Sequence, residues 1–235
     1  MSESLPTTRS GDPVCFSAQA SFGAALLLAG IGVTSVRSAP SRAHVPLAAT
    51  PLLFAAQQAC EGAVWLVLER SPFGRSDTGL LRAFLFFALL VWPAYLPPAL
   101  LVLEKVKRRR AALALAWALG IFVGGYLVAC ASLRASEACI AFGNLYYWVQ
   151  IDAPLKTVAP YAYLACIVTP LLVSSVPGTS LLAIAAAVSF AVTGYLYRAG
   201  FISVWCFFAA VLAGLVVWLM RCRANPREAR PDLIW

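Results

Sequence analysis

Charge is the scarcest commodity in this 235-residue chain: 12% of its residues are charged while 61% are apolar, against about 25% and 45–50% in an ordinary soluble domain. That balance excludes a water-soluble globule. Histidine is scarcer still. The single His44 cannot supply a bis-histidine haem or a histidine-rich zinc hydrolase centre. The three lysines, Lys105, Lys107 and Lys156, all fall outside the last apolar segment, which removes the Schiff-base lysine a retinal protein needs. No G-x-x-x-x-G-K-[ST] loop, G-x-S-x-G elbow or G-x-G-x-x-G turn occurs, so the phosphate-cradling and nucleophile-elbow chemistries are excluded too. Seven cysteines are present without C-x-x-C spacing.

What is present is hydrocarbon-compatible length. A membrane-spanning helix needs about 20 apolar residues, and apolar stretches bounded by charge, Pro or Gly run from about 16 to 35, 46 to 68, 79 to 103, 111 to 132, 157 to 175, 180 to 197 and 201 to 220. The expected fold is all-α, a membrane bundle of seven helices over residues 15–222. It is preceded by a polar, disordered extension at 1–14 that is no signal peptide, and followed by a basic tail at 223–235.

The formal net charge of +8 resembles a nucleic-acid footprint in sum but not in distribution. The basic residues cluster at Lys105, Lys107 and Arg108 to Arg110, and again at Arg221, Arg223, Arg227 and Arg230. Both clusters flank apolar segments, where they act as topology signals. Counting Lys and Arg by side places eleven with the C-terminus and seven opposite, which predicts an external N-terminus and a cytoplasmic C-terminus. The partner implied is the lipid bilayer of a bacterial inner membrane, with no nucleic acid. Fifteen Arg against three Lys suit a GC-rich bacterial genome.

Within the spans, Glu61 is the most informative residue, because an acid in hydrocarbon is costly and faces a bundle interior or a wet cavity. Gln57, Glu61 and Trp65 recur at i, i+4 and i+8 on one helix face, with Gln58 adjacent. In the predicted orientation Glu61 lies roughly 10 Å below the outer end. Its carboxyl is then either protonated or paired, and it serves either as interhelical glue or as part of a site. Cys15, Ser17 and Gln19 at the start of the first segment, and Ser203, Trp205 and Cys206 early in the seventh, reach the same depth. Together these residues are the expected ligand-binding set of a pocket between helices. A Cys15–Cys206 bridge would tie the first span to the last, and Cys130 with Cys139 forms a second candidate pair. No metal is assigned, and no cofactor is named by these residues.

Three further features carry expectations. Trp92-Pro93-Ala94-Tyr95-Leu96-Pro97-Pro98 should kink the third span, and the carbonyls it frees can line a cavity. The long connection from about 133 to 156, with Tyr146, Tyr147 and Trp148, reads as an interfacial segment or a lid. Glu104, beside Lys105 and Lys107, reads as a solvated charge. Functionally the chain reads as a sensor or accessory protein binding a small amphipathic molecule or lipid in an outward-facing pocket. The alternative is an integral-membrane enzyme with Cys15 or Cys206 as thiol and Glu61 as acid or base, although no basic residue within these motifs would activate a thiol.

Cys15-Phe16-Ser17-Ala18, Gln57-Gln58 with Glu61-Gly62 and Trp65, Trp92-Pro93, and Ser203-Val204-Trp205-Cys206-Phe207 together resemble an uncharacterised family of bacterial multi-pass membrane proteins. Its members begin Met-Cys-Phe-Ser-Ala. The resemblance covers nearly the whole chain and implies no activity; it implies that these positions are the family's signature. Here fourteen residues precede Cys15, the last of them Val14, and GTG both encodes valine and initiates as Met. Translation is therefore expected to start at position 14. Mass spectrometry of the natively expressed protein checks this: a peptide from residues 1–13 would refute it.

Overall fold

A computed structural model describes residues 17–70, 79–134, 137–141, 143–196, 201–208, 214–216 and 218. The extension at 1–14, Cys15 and the tail at 223–235 lie outside the described residues, as does much of the seventh apolar segment. Among the described residues the chain is nearly all helix, with one β-hairpin. Helix α1 (Ala18–Arg37) starts where the Ser17 hydroxyl accepts the Ala20 N–H at 3.2 Å, satisfying one of the first turn's unpaired donors. A 3-10 turn (Arg42–His44) and the short α2 (Val45–Ala48) lead into α3 (Thr50–Arg70), which packs along α1. The two approach closely because Gly32 has no Cβ to meet Leu52 and Gly62 none to meet the Phe22 ring.

The third apolar segment contains α4 (Gly79–Phe86), a π turn (Phe87–Val91) and α5 (Trp92–Leu101). Proline explains the division. Pro93 offers no N–H to the Leu89 carbonyl and its ring would clash there, and a widened turn relieves the clash. The freed carbonyls are put to structural use. The Tyr163 hydroxyl donates to Ala88 O at 2.6 Å. Leu89 O and Pro93 O press against α6 (Lys107–Leu133) at Gly124 and Gly120, where any Cβ would collide with them. The small-x-x-x-small pair Gly120/Gly124 thus seats the helix against the carbonyls that the prolines leave unpaired.

At the far end of α6, strands β1 (Glu137–Ala141) and β2 (Asn144–Trp148) form an antiparallel hairpin, with Gly143 in the left-handed conformation (φ 69°) at its turn. Ala138 and Leu145 are fully buried, and Tyr147 stacks on Phe84 at 4.8 Å. The expected interfacial segment is therefore a folded hairpin packed on the bundle end, with one strand beside α3 and the other beside α10. Asp152, held below the usual carboxylate pKa first by the Arg134 guanidinium and then by the Tyr126 hydroxyl, closes this end. Helices α7 (Ala153–Lys156), α8 (Ala159–Val173), α9 (Thr179–Leu196) and α10 (Phe201–Phe207) complete the description.

Five helical runs are long and apolar enough to cross a membrane: Ala18–Arg37, Arg42–Arg70, Gly79–Leu101, Lys107–Leu133 and Thr179–Leu196. The fifth segment is shorter, a 15-residue helix. Helices α1 and α6 turn large apolar side chains outward, among them Leu26, Leu27, Leu115 and Phe122. A soluble surface does not carry such continuous apolar faces.

One expectation fails clearly. Glu104 is not solvated: it is 2% exposed and accepts hydrogen bonds from the Lys105, Val106 and Ser175 N–H groups and the Ser175 hydroxyl, at 2.7–3.0 Å. It thereby staples the loop before α6 to the loop between α8 and α9, and Arg110 caps Leu101 O and Glu104 O beside it. Burial pushes its pKa up, but these four donors outweigh burial and hold it at about 2, against an ordinary value of 4.5. The stabilisation is therefore complete above pH 4.5 and is lost as pH falls toward 2. Glu104→Ala is expected to cost about 2–4 kcal/mol by stranding buried donors. Thermal denaturation in detergent should show the wild type losing stability between those pH values more steeply than Glu104→Gln does.

Candidate functional site

The polar face of α3 forms as its helical spacing requires. Gln57, Gln58, Glu61 and Trp65 are all buried, none more than 3% exposed. Gln58 Nε2 donates to Glu61 Oε2 at 3.0 Å, and the Ser203 hydroxyl of α10 lies against the same carboxyl. No charged group of the described residues adjoins Glu61. Glu61 Oε1 and Trp65 Nε1, one helical turn apart, are buried with no hydrogen-bond partner. Buried polar atoms are almost always satisfied; Ser35 Oγ and Thr193 Oγ1 are open as well, but Glu61 and Trp65 are two such residues on one helix face.

One turn in the other direction, Gln57 has a different role. The Trp92 indole donates to Gln57 Oε1 at 2.7 Å while the Trp92 ring stacks on Phe54 at 3.8 Å. These residues wall a cavity of about 220 Å³ between α3, the π turn and α5, α8, α9 and α10. Six aromatic rings, Phe54, Trp92, Tyr163, Phe190, Phe201 and Trp205, line it together with a larger set of aliphatic side chains. Their polar atoms point into the protein. Trp205 Nε1 donates to Ser189 Oγ at 2.9 Å, Ser189 Oγ to Ala186 O at 2.9 Å, and Thr50 Oγ1 to Leu47 O at 2.7 Å. With Tyr163 bound to Ala88 O as well, the surface left facing the cavity is hydrocarbon.

The expected ligand set thus divides. Gln57 and Trp205 line the cavity. Gln58, Glu61 and Ser203 meet one another outside its lining, and Trp65 lies one turn further along α3. Ser17 is the cap of α1, and Gln19 is exposed. Cys15 and the side chain of Cys206 lie outside the described residues, and with them the expected bridge and the thiol of the enzyme reading. Cys130 and Cys139, the second expected pair, are free thiols. Their residues belong to separate elements, the helix α6 and the strand β1, where Cys139 pairs across the hairpin with Tyr146.

Sequence reasoning missed Phe54, Tyr163, Ser189 and Phe190. A usable signal existed for one of them: a buried tyrosine or tryptophan needs a partner for its polar atom, and Tyr163 sits in an apolar segment facing the Pro-disrupted one. The Trp92–Gln57 bond offers a direct test. Trp92→Phe removes the donor to a buried oxygen and should cost about 1–3 kcal/mol. In a double-mutant cycle with Gln57→Leu, followed by thermal denaturation, the combined loss should fall short of the sum by about 1 kcal/mol.

Comparison with curated proteins and with solved structures finds no match. A family of unknown function, DUF6629, matches residues 14–231. It agrees with the resemblance read from the motifs in having no assigned activity. The match covers nearly the whole chain, including every described element, and the chain belongs to this family of unknown function, DUF6629.

Proposed function

We propose that the protein is a seven-span component of a bacterial inner membrane, its N-terminus outside and its C-terminus cytoplasmic. In this reading it binds the apolar part of a small amphipathic molecule or lipid in the aromatic cavity, as a sensor or accessory protein. Five membrane-length helices, the shorter α8, the apolar segment that begins with α10 and the outward-facing leucines support the span count. The excess of Lys and Arg on the Glu104 side supports the orientation, which puts the hairpin outside.

The observation that carries the binding reading is the dry wall of the cavity. A buried water needs two to four polar partners, and the Trp92, Trp205, Tyr163 and Thr50 donors are already committed to protein acceptors. An apolar group suits this space better than water. An engineered cavity of about 150 Å³ holds benzene and drug-sized ligands need about 300–1,000 Å³, so about 220 Å³ suits one ring or a short stretch of alkyl chain.

Solvent extraction of the purified protein followed by mass spectrometry should find a bound apolar or amphipathic species near one per chain. Ala186→Phe, which fills the cavity from α9, should reduce it about tenfold while circular dichroism stays unchanged. If that variant does not fold, Ala159→Leu fills from α8 more gently. An extract indistinguishable from that of an unrelated membrane protein, with no effect of either substitution, would overturn the reading.

A further inference from the structure

We infer that Glu61 and Trp65 form a hydrogen-bonding site for the carbonyl-type oxygen of a ligand whose alkyl portion occupies the neighbouring cavity. The inference rests on the cavity reading for the place of the chain, and adds the chemistry of the head.

Glu61 Oε1 and Trp65 Nε1 are both buried and both without a partner, and residues at i and i+4 lie one above the other on one helix face. Leaving such atoms unfilled costs about 1–3 kcal/mol each, and an empty pair one turn apart points to an absent occupant. Gln58 donates to Oε2 of the carboxyl, which identifies Oε2 as an acceptor and leaves Oε1 as the atom that holds the proton. Among the described residues no cation adjoins this carboxyl, and an isolated charge in a low-dielectric interior is neutralised rather than tolerated. Glu61 then presents an O–H, as Trp65 presents an N–H. Two buried donors one helical turn apart then lack an acceptor among the described residues. The missing group is an acceptor without a required donor: a ketone, quinone or ester carbonyl.

Position supports the pairing of head with tail. Gln57 is on the cavity wall, and Glu61 and Trp65 follow it at successive turns of the same face, about 6 Å apart along the axis. Ala88 and Ile202 belong to the cavity wall and also to the hydrophobic cluster that contains Trp65. In this inference the end of a chain in the cavity passes Gln57, Ala88 and Ile202 to reach the donor pair, which lies behind the cavity wall. Ser203, on the same helix as the wall residues Phe201, Ile202 and Trp205, hydrogen-bonds the same carboxyl.

The test measures retention of a radiolabelled long-chain ketone and of the alkane of equal length by the full chain in alkyl maltoside micelles, which contain no carbonyl. Taking the variant-to-wild-type ratio for each probe cancels partition into the micelle. Trp65→Phe and Glu61→Leu should each weaken ketone retention about 3- to 10-fold, the worth of one neutral hydrogen bond, with alkane retention unchanged. Glu61→Gln keeps an N–H donor at the same place and should keep most of the ketone affinity. Alkane retention reports folding in every variant, and if Trp65→Phe loses both probes the Glu61→Leu and Glu61→Gln comparison decides. Ketone and alkane responding alike to all three substitutions would overturn the donor pair and leave the cavity reading standing. Retention of neither probe by the wild type would overturn both.

Discussion

Pro93, Pro97 and Pro98 each remove a backbone donor from one apolar helix, and in a medium without water each carbonyl so stranded must be answered from within the protein. Much of the bundle is arranged around those answers. The π turn moves Pro93 off the Leu89 carbonyl, Tyr163 crosses from α8 to bind Ala88 O, and Gly120 and Gly124 bring the α6 backbone against Pro93 O and Leu89 O. The cavity is a consequence of the same segment. Ala88, Leu89, Trp92 and Leu96 form one of its walls, and the turn's extra width sets Trp92 where its indole meets Gln57 on α3.

Two buried acids illustrate how differently a fold can treat the same side chain. Glu104 is surrounded by four donors from two loops and is held ionised, so its burial is that of a satisfied anion tying chain segments together. Glu61 has the Gln58 amide and the Ser203 hydroxyl on one side, and its other oxygen is empty. The first arrangement is complete without a ligand. The second leaves one oxygen without a partner, and the contrast within one molecule is what separates a structural acid from a candidate binding group.

Much of the architecture was legible in the residues because burial in hydrocarbon imposes length. The apolar segments at 79–103, 111–132 and 180–197 correspond to Gly79–Leu101, Lys107–Leu133 and Thr179–Leu196 within a few residues, since charge and Pro mark where a helix meets water. The stacking of Gln57, Glu61 and Trp65 followed from the 3.6-residue period alone. The hairpin at 137–148 was not legible: it is a short aromatic stretch with no strong alternation, and its pairing depends on α3 and α10 offering a surface for Ala138 and Leu145. Glu104 was misread for a related reason. Three of its neighbours in sequence are Lys105, Lys107 and Arg108, which suggest solvent, whereas the Ser175 N–H and hydroxyl that bury it come from 71 residues away.

By itself, then, the sequence determined that this chain is helical, apolar enough for a bilayer, and marked by one acid on a polar helix face. Those properties are local, set by composition and by period. Tertiary structure decided which polar atoms are answered and which are left open. It tied the Trp92, Trp205 and Tyr163 polar atoms to protein acceptors, enclosed Glu104 among donors, and left Glu61 Oε1 and Trp65 Nε1 without a partner. Hydrogen bonding between distant segments is a matter of ångströms, and no pattern along the chain encodes it.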